Sequence, residues 1–164
     1  TKFAVVRYGN VMASRGSVVP LWIKQRESGV LSLTDPRMTR FSLTIKEAAN
    51  YVISAVRMMV GGELFVFKLP SYRLTDLARV IAPNAKQNFI GIRPGEKLHE
   101  EMISADDSRR TFLMEDRYVV TPVVAEWGYE TPEGTPMPAG FAYQSQSNDL
   151  WLSQDDIRNF LSEI

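Results

Sequence analysis

Arg93, Glu96 and His99 recur at intervals of three within Gly91-Ile-Arg-Pro-Gly-Glu-Lys-Leu-His-Glu100, bringing a guanidinium, a carboxylate and an imidazole into one short segment. Pro94 marks the first turn of an expected helix directly after Arg93. A helix start offers unpaired backbone N–H groups and a partial positive charge, and an arginine can grip two oxygens at once. The segment therefore predicts a site for a mono- or diphosphate. Taken alone, it reads equally well as a capped surface helix with solvated charges. Two more segments share its character. Arg7-Tyr-Gly-Asn-Val-Met-Ala-Ser-Arg-Gly-Ser17 and Leu33-Thr-Asp-Pro-Arg-Met-Thr-Arg40 each set Arg, Ser, Thr or Asn on a loop beside an expected strand. His99, the single histidine, is expected on the helix beyond the ligand rather than as a general base, because a base must first reach a substrate proton. Asp106 and Asp107 lack further carboxylates at a ligating spacing, and no metal site is expected.

The elements that must carry these segments alternate between strand and helix. Lys2–Arg7 is a short apolar run rich in β-branched residues, as for a strand buried on both faces of a parallel sheet, and Gly9 breaks it. Ligands in open α/β sheets sit beyond the carboxyl ends of the strands, which would project Tyr8, Gly9 and Asn10 toward a cleft. Tyr8 also fits a half-buried aromatic at a strand end, and Asn10 a turn-former. Helical spacing runs from Val18 to Glu27, with Ser17 as N-cap and Gly29 beyond its end. Leu31–Thr34 alternates as a strand that Asp35-Pro36 ends.

Thr44-Ile-Lys-Glu47 has the form of a capping box. It opens a scaffold helix whose apolar face carries Ala48, Ala49, Val52, Ile53, Val56, Met59 and Val60, stopped by Gly61-Gly62. Strands follow at Glu63–Leu69, Gln87–Ile92 and Arg117–Thr121, with a helix over Thr75–Ala82. The Pro-, Gly-, Ser- and Gln-rich stretch Thr131–Asn148 reads as a long surface loop. Ser153 and Asp156 cap a last helix packed by Ile157, Phe160 and Leu161, and Trp151 anchors that end.

The sequence has 164 residues and a formal net charge of zero, with acids and bases mixed along it. That gives enough chain for a core but no basic field for nucleic acid, so anion binding must come from local arginines. There is no cysteine, which excludes disulfides and thiolate chemistry and suits a reducing, cytoplasmic setting. No apolar run reaches the length of a membrane span, so no membrane partner is expected in this segment.

Four runs together resemble the C-terminal half of the extended short-chain dehydrogenase/reductase enzymes that act on nucleotide sugars, and among these the inverting UDP-N-acetylglucosamine 4,6-dehydratases. They are Val6-Arg-Tyr-Gly-Asn-Val-Met-Ala-Ser-Arg-Gly-Ser-Val-Val-Pro20, Thr34-Asp-Pro-Arg-Met-Thr-Arg-Phe41, Gly91–Glu100 and Asn148-Asp-Leu-Trp-Leu152. The resemblance implies an α/β fold, in which the last parallel strand of a Rossmann-type domain is followed by a small mixed substrate-binding domain. Residues 1–29 would end the dinucleotide-binding part and 30–164 would form the substrate-binding part. The glycine-rich turn and the Tyr-x-x-x-Lys pair of such enzymes are absent: no Gly-x-x-Gly-x-x-Gly occurs, and no tyrosine has a lysine four residues on. This chain would then be a fragment without the acid/base machinery, and inactive alone.

By the same resemblance, Asn10, Val18, Thr34, Arg40, Arg93 and Glu96 bind the UDP-sugar substrate, with Arg15 close by. Tyr8 faces the cofactor NADP, which is held mostly by parts outside this sequence. The implied reaction loses water across C5 and C6 of the sugar, inverts C5 and supplies pseudaminic-acid-type glycans. The full-length enzyme would be a homo-oligomer. Pro36 departs from the family pattern and bears on the turn before Arg40. A retaining dehydratase or an epimerase making capsular or lipopolysaccharide sugars, and a non-enzymatic sugar-nucleotide-binding module, are the alternative readings.

Overall fold

The structure is a computed structural model that describes residues 1–14, 16–124 and 128–162. In chain order the first elements are β1 (Val5–Arg7), β2 (Asn10–Val11), α1 (Val18–Gln25), β3 (Val30–Leu33), β4 (Thr39–Leu43) and α2 (Ile45–Met58). Next come β5 (Leu64–Phe67), β6 (Ser71–Arg73), α3 (Leu74–Ile81) and β7 (Lys86–Phe89). The last are β8 (Glu101–Ile103), β9 (Thr111–Leu113), β10 (Arg117–Val120), β11 (Thr135–Pro136), β12 (Tyr143–Gln144) and α4 (Gln154–Ser162). Parallel and antiparallel pairings coexist, giving the mixed α/β class expected from the sequence.

The chain forms two compact units that interleave in sequence. One comprises residues 1–8, 45–69 and 101–144, and the other residues 9–44, 70–100 and 145–164. Neither has a border at 29/30, where the sequence reading divides cofactor-binding from substrate-binding parts.

The first unit is built on a five-stranded sheet of order β1-β5-β10-β9-β11, beside a β8-β12 pair. β5, the apolar run Leu64–Phe67, is paired on both edges: parallel to β1, with Val5 opposite Leu64, and antiparallel to β10. Its Phe65, Val66 and Phe67 are buried accordingly. Tyr51 of α2 stacks on Phe67 at 3.9 Å between ring centroids, and Arg117 lies over the same ring. Tyr143 reaches Leu69 from the predicted surface loop: its hydroxyl accepts the Leu69 N–H at 2.8 Å and lies 3.1 Å from the Leu69 carbonyl, to which it donates. The stretch Thr131–Asn148 is thus pinned at β11 and β12 rather than lying loose on the surface.

Two expectations about this unit fail on burial. β1 is not buried on both faces. It lies at the sheet edge with β5 as its neighbour among the described residues, and Val5 is 59% exposed. In α2 the small residues Ala48 and Ala55 are buried, while Val52, Ile53 and Val56 are exposed. The helical period is right, but the broad apolar face is not covered by the described residues.

The second unit holds the β2-β4-β6 and β3-β7 sheets with α1, α3 and α4. Its core joins Val19 and Trp22 of α1, Leu31 and Leu33 of β3, Met38, Leu77 and Ala78 of α3, and Ile157 of α4. The α1 pattern delivers Trp22 to this core, where its Nε1 donates to the Ser32 carbonyl at 3.0 Å and ties the helix to β3. Gly29, at φ 71°, takes the left-handed conformation that ends the α1 segment. α4 is capped as its sequence predicts, with Asp156 N–H donating to Ser153 Oγ and Ser153 N–H donating to the Asp156 carboxylate. Gly9 serves close packing rather than an unusual φ, since a Cβ there would stand 2.5 Å from the Phe41 Cβ.

Candidate functional site

No helix starts at Pro94; Arg93–Glu96 is a tight turn. Glu96 N–H donates to the Arg93 carbonyl at 3.0 Å, and Gly95 has φ 80°, the geometry of a type II turn with proline at its second position and glycine at its third. Proline's fixed φ suits the first turn of a helix and this position of a turn alike, and Gly95 decides between them. The helix N–H groups expected beside Arg93 are therefore not there. His99 accordingly sits in non-helical backbone, with Nδ1 2.7 Å from Thr39 Oγ1. Partial burial, then Arg40 and Arg37, push its pKa below the ordinary histidine value, favouring the neutral ring.

β3 delivers this turn by pairing in parallel with β7, and Ile90 and Gly91 N–H groups continue the pairing onto the Leu33 and Thr34 carbonyls. A cavity of about 230 Å³ opens beside it within the second unit. Asn10, Val18, Thr34, Arg40, Arg93 and Glu96, all six residues expected at the substrate, line it. Tyr8 belongs to the first unit, immediately after β1, and is 41% exposed. Arg15 lies outside the described residues.

The two arginines of the cavity have different surroundings. Arg40 directs Nη1 to the Thr39 and Leu98 carbonyls, at 2.7 and 3.1 Å, and Nη2 to the Lys97 carbonyl at 2.9 Å. Its Nε faces Glu100 at 3.9 Å and its Nη2 faces Glu96 at 4.0 Å. Arg40 is thus a brace that fastens the 97–98 backbone to β4. The exposed Arg93 makes no side-chain hydrogen bond or ion pair among the described residues, leaving its fork open to an anion. Glu96 faces inward: its carboxylate accepts the Arg93 backbone N–H at 3.3 Å and the Thr34 hydroxyl at 3.4 Å. Arg37 turns away and is bound by Asp35, whose carboxyl it holds down to about 2.

Ser17, which also lines the cavity, stands at the N-cap of α1 without making the expected cap bond, and its buried Oγ has no hydrogen-bond partner among the described residues. Tyr72 of β6 also lines the cavity, and burial pushes its phenol well above the ordinary value. Sequence reasoning missed Tyr72 because β6 is only three residues long and shows no period. It also passed over Glu100, although that residue closes the same motif.

A family model described as "Polysaccharide biosynthesis protein" matches residues 1–122. The chain belongs to this family. Within the polysaccharide biosynthesis protein family it is 41% identical to the UDP-N-acetylglucosamine 4,6-dehydratase (inverting) of Campylobacter jejuni, over 99% of this chain and 52% of that protein. It is 40% identical to the UDP-glucose 4-epimerase of Rickettsia canadensis, over 72% of this chain and 36% of that one. Among solved structures, Pen from Bacillus thuringiensis matches with a TM-score of 0.84 at 34% identity, covering 99% of this chain and 50% of Pen. The chain spans about half the length of the curated dehydratase relatives it matches. No helix among the described residues is long and apolar enough to cross a membrane.

Proposed function

We propose that this chain is the substrate-binding portion of an NADP-dependent UDP-N-acetylglucosamine 4,6-dehydratase of the C5-inverting kind, working in the synthesis of pseudaminic-acid-type surface glycans. The observation that carries this reading is the convergence of Asn10, Val18, Thr34, Arg40, Arg93 and Glu96 on one cavity, joined to the 41% identity with the Campylobacter jejuni dehydratase. Arg93 offers its open guanidinium to the diphosphate. Thr34 and Glu96 present a hydroxyl and a carboxylate for ribose or sugar hydroxyls, and the first turn of α1 with Ser17 adds unpaired donors. Their role is orientation: they hold the nucleotide so that the sugar meets its reacting partners in one geometry.

The residues present do not make an NADP site. β1 is followed by a single exposed tyrosine, Tyr8, and the sequence has no glycine-rich phosphate turn. We therefore assign only a flanking contact to Tyr8. In this reading residues 1–29 close the dinucleotide-binding part, residues 30–164 complete the substrate-binding part, and the isolated chain is inactive. The whole enzyme is read as a cytoplasmic homo-oligomer. An epimerase reading is favoured by one observation, the 40% identity to the Rickettsia canadensis UDP-glucose 4-epimerase.

Calorimetric titration with UDP-N-acetylglucosamine and UDP tests the binding claim. Saturable binding of both is expected, weakened by roughly tenfold or more in Arg93→Ala because a charge-assisted bidentate contact contributes over ~1.4 kcal/mol. Binding that Arg93→Ala leaves intact would remove the diphosphate from this cavity. Product analysis of the intact enzyme separates a dehydrated sugar from an epimerised one.

A further inference from the structure

We infer that Glu100 is a positioning residue of the cavity, fixing which face of the Asn10 amide meets the ligand. The inference rests on the nucleotide-sugar reading for its ligand, but its geometry stands independently.

Glu100 follows the Arg93–Glu96 turn and its side chain is one-quarter exposed. One carboxylate oxygen, Oε2, accepts the Phe41 backbone N–H of β4 at 2.8 Å. The other, Oε1, lies 2.6 Å from the side-chain nitrogen of Asn10, which also stands 3.3 Å from Oε2. This amide orientation is assigned from its hydrogen bonds: the reverse rotation would set two acceptors against each other. An amide has one donor end and one acceptor end. With its NH₂ committed to Glu100, Asn10 keeps its carbonyl oxygen as the group it can offer to a ligand, and that oxygen reads a hydroxyl or N–H donor of the bound sugar nucleotide.

Glu100 is itself held from behind. Its backbone N–H donates to Ser145 Oγ at 2.9 Å, and Ser145 Oγ stands 2.7 Å from Thr39 Oγ1, which meets His99 Nδ1. Arg40 from β4 faces the carboxylate at 3.9 Å, and Tyr72 from β6, Lys97 from the loop and Asn10 from β2 also act on it. Burial raises the Glu100 pKa, against the lowering pull of the Phe41 N–H, Arg40 and Lys97. A folded pKa raised above the unfolded one means that stability falls as pH rises and Glu100 ionises.

Glu100→Gln separates the two roles. A glutamine keeps the Phe41 bond through its oxygen but turns an NH₂ toward Asn10, and two donors cannot pair. Asn10 must then either turn its amide over, showing NH₂ to the ligand, or lose the contact. In the intact protein the side-chain amide resonances of Asn10 are expected to move in Glu100→Gln and, in wild type, to follow the Glu100 titration. The affinity for UDP-N-acetylglucosamine is expected to fall at least about fivefold. The same substitution in an Asn10→Ala background should leave affinity where Asn10→Ala alone puts it, since coupled sites are non-additive. Unmoved Asn10 resonances, or additive losses in the double variant, overturn the inference. Wild-type protein that binds no UDP-sugar overturns the functional reading instead, and the resonance measurement still decides the Glu100–Asn10 pair.

Discussion

The two compact units treat their apolar residues differently. In the second, Trp22, Leu31, Met38, Leu77 and Ile157 are fully buried around α1, α3 and α4. In the first, Phe3, Val5, Ile53 and Val56 are at least half exposed although their spacing is that of core residues. A helical period records which face a helix is built to bury, and not whether the covering surface belongs to the same stretch of chain. The cavity lies in the second unit, and the supports of Arg40 and Trp22 are contributed from within that unit.

The contrast breaks most visibly on matched truncations. Trp22→Ala removes a fully buried indole and its bond to Ser32 and should cost about 3–5 kcal/mol. Val56→Ala, at a position 63% exposed, should stay within ~0.5 kcal/mol. Chemical denaturation compares them, and equal losses would show that the face of α2 is covered after all. A smaller effect is expected at Gly9, where an added Cβ would meet Phe41 Cβ at 2.5 Å and its carbonyl oxygen at 3.0 Å. Gly9→Ala should destabilise by about 1–3 kcal/mol, and a neutral result in the same assay would mean that β4 yields where the core of that unit is taken to be tight.

The smallest effect lies on that unit's solvent side. Hydrogen bonds from Arg37 hold Asp35 at about 2, below the ordinary 3.8. A depressed folded pKa gives stability that is present above the unfolded value and lost as pH falls toward 2. A slight fall in melting temperature below pH 4 should therefore vanish in Asp35→Asn.

Much of this arrangement was legible in the residues. α1, α3 and α4 follow from a 3.6-residue period bounded by Ser, Gly or Pro, and the Ser153–Asp156 cap was readable from two side chains. Pro94 predicts a helix start from sequence because helix starts and type II turns use the same proline φ, and Gly95 at φ 80° decides for the turn. β2, β6 and β12, at two or three residues, are too short to show alternation; long-range pairing makes them strands. The six cavity residues came from family resemblance, and their meeting is a matter of tertiary packing. The link from Glu100 through Ser145 to Thr39 joins positions that no local pattern connects.

The Arg40 brace has a consequence for encounter kinetics. Its guanidinium already holds the carbonyls of Lys97 and Leu98, and the Arg93–Glu96 turn closes on its own hydrogen bond. A loop fastened in this way need not be gathered before a ligand arrives, so a ligand of this cavity is expected to associate without a slow ordering phase, with differences between variants residing mostly in the rate of departure.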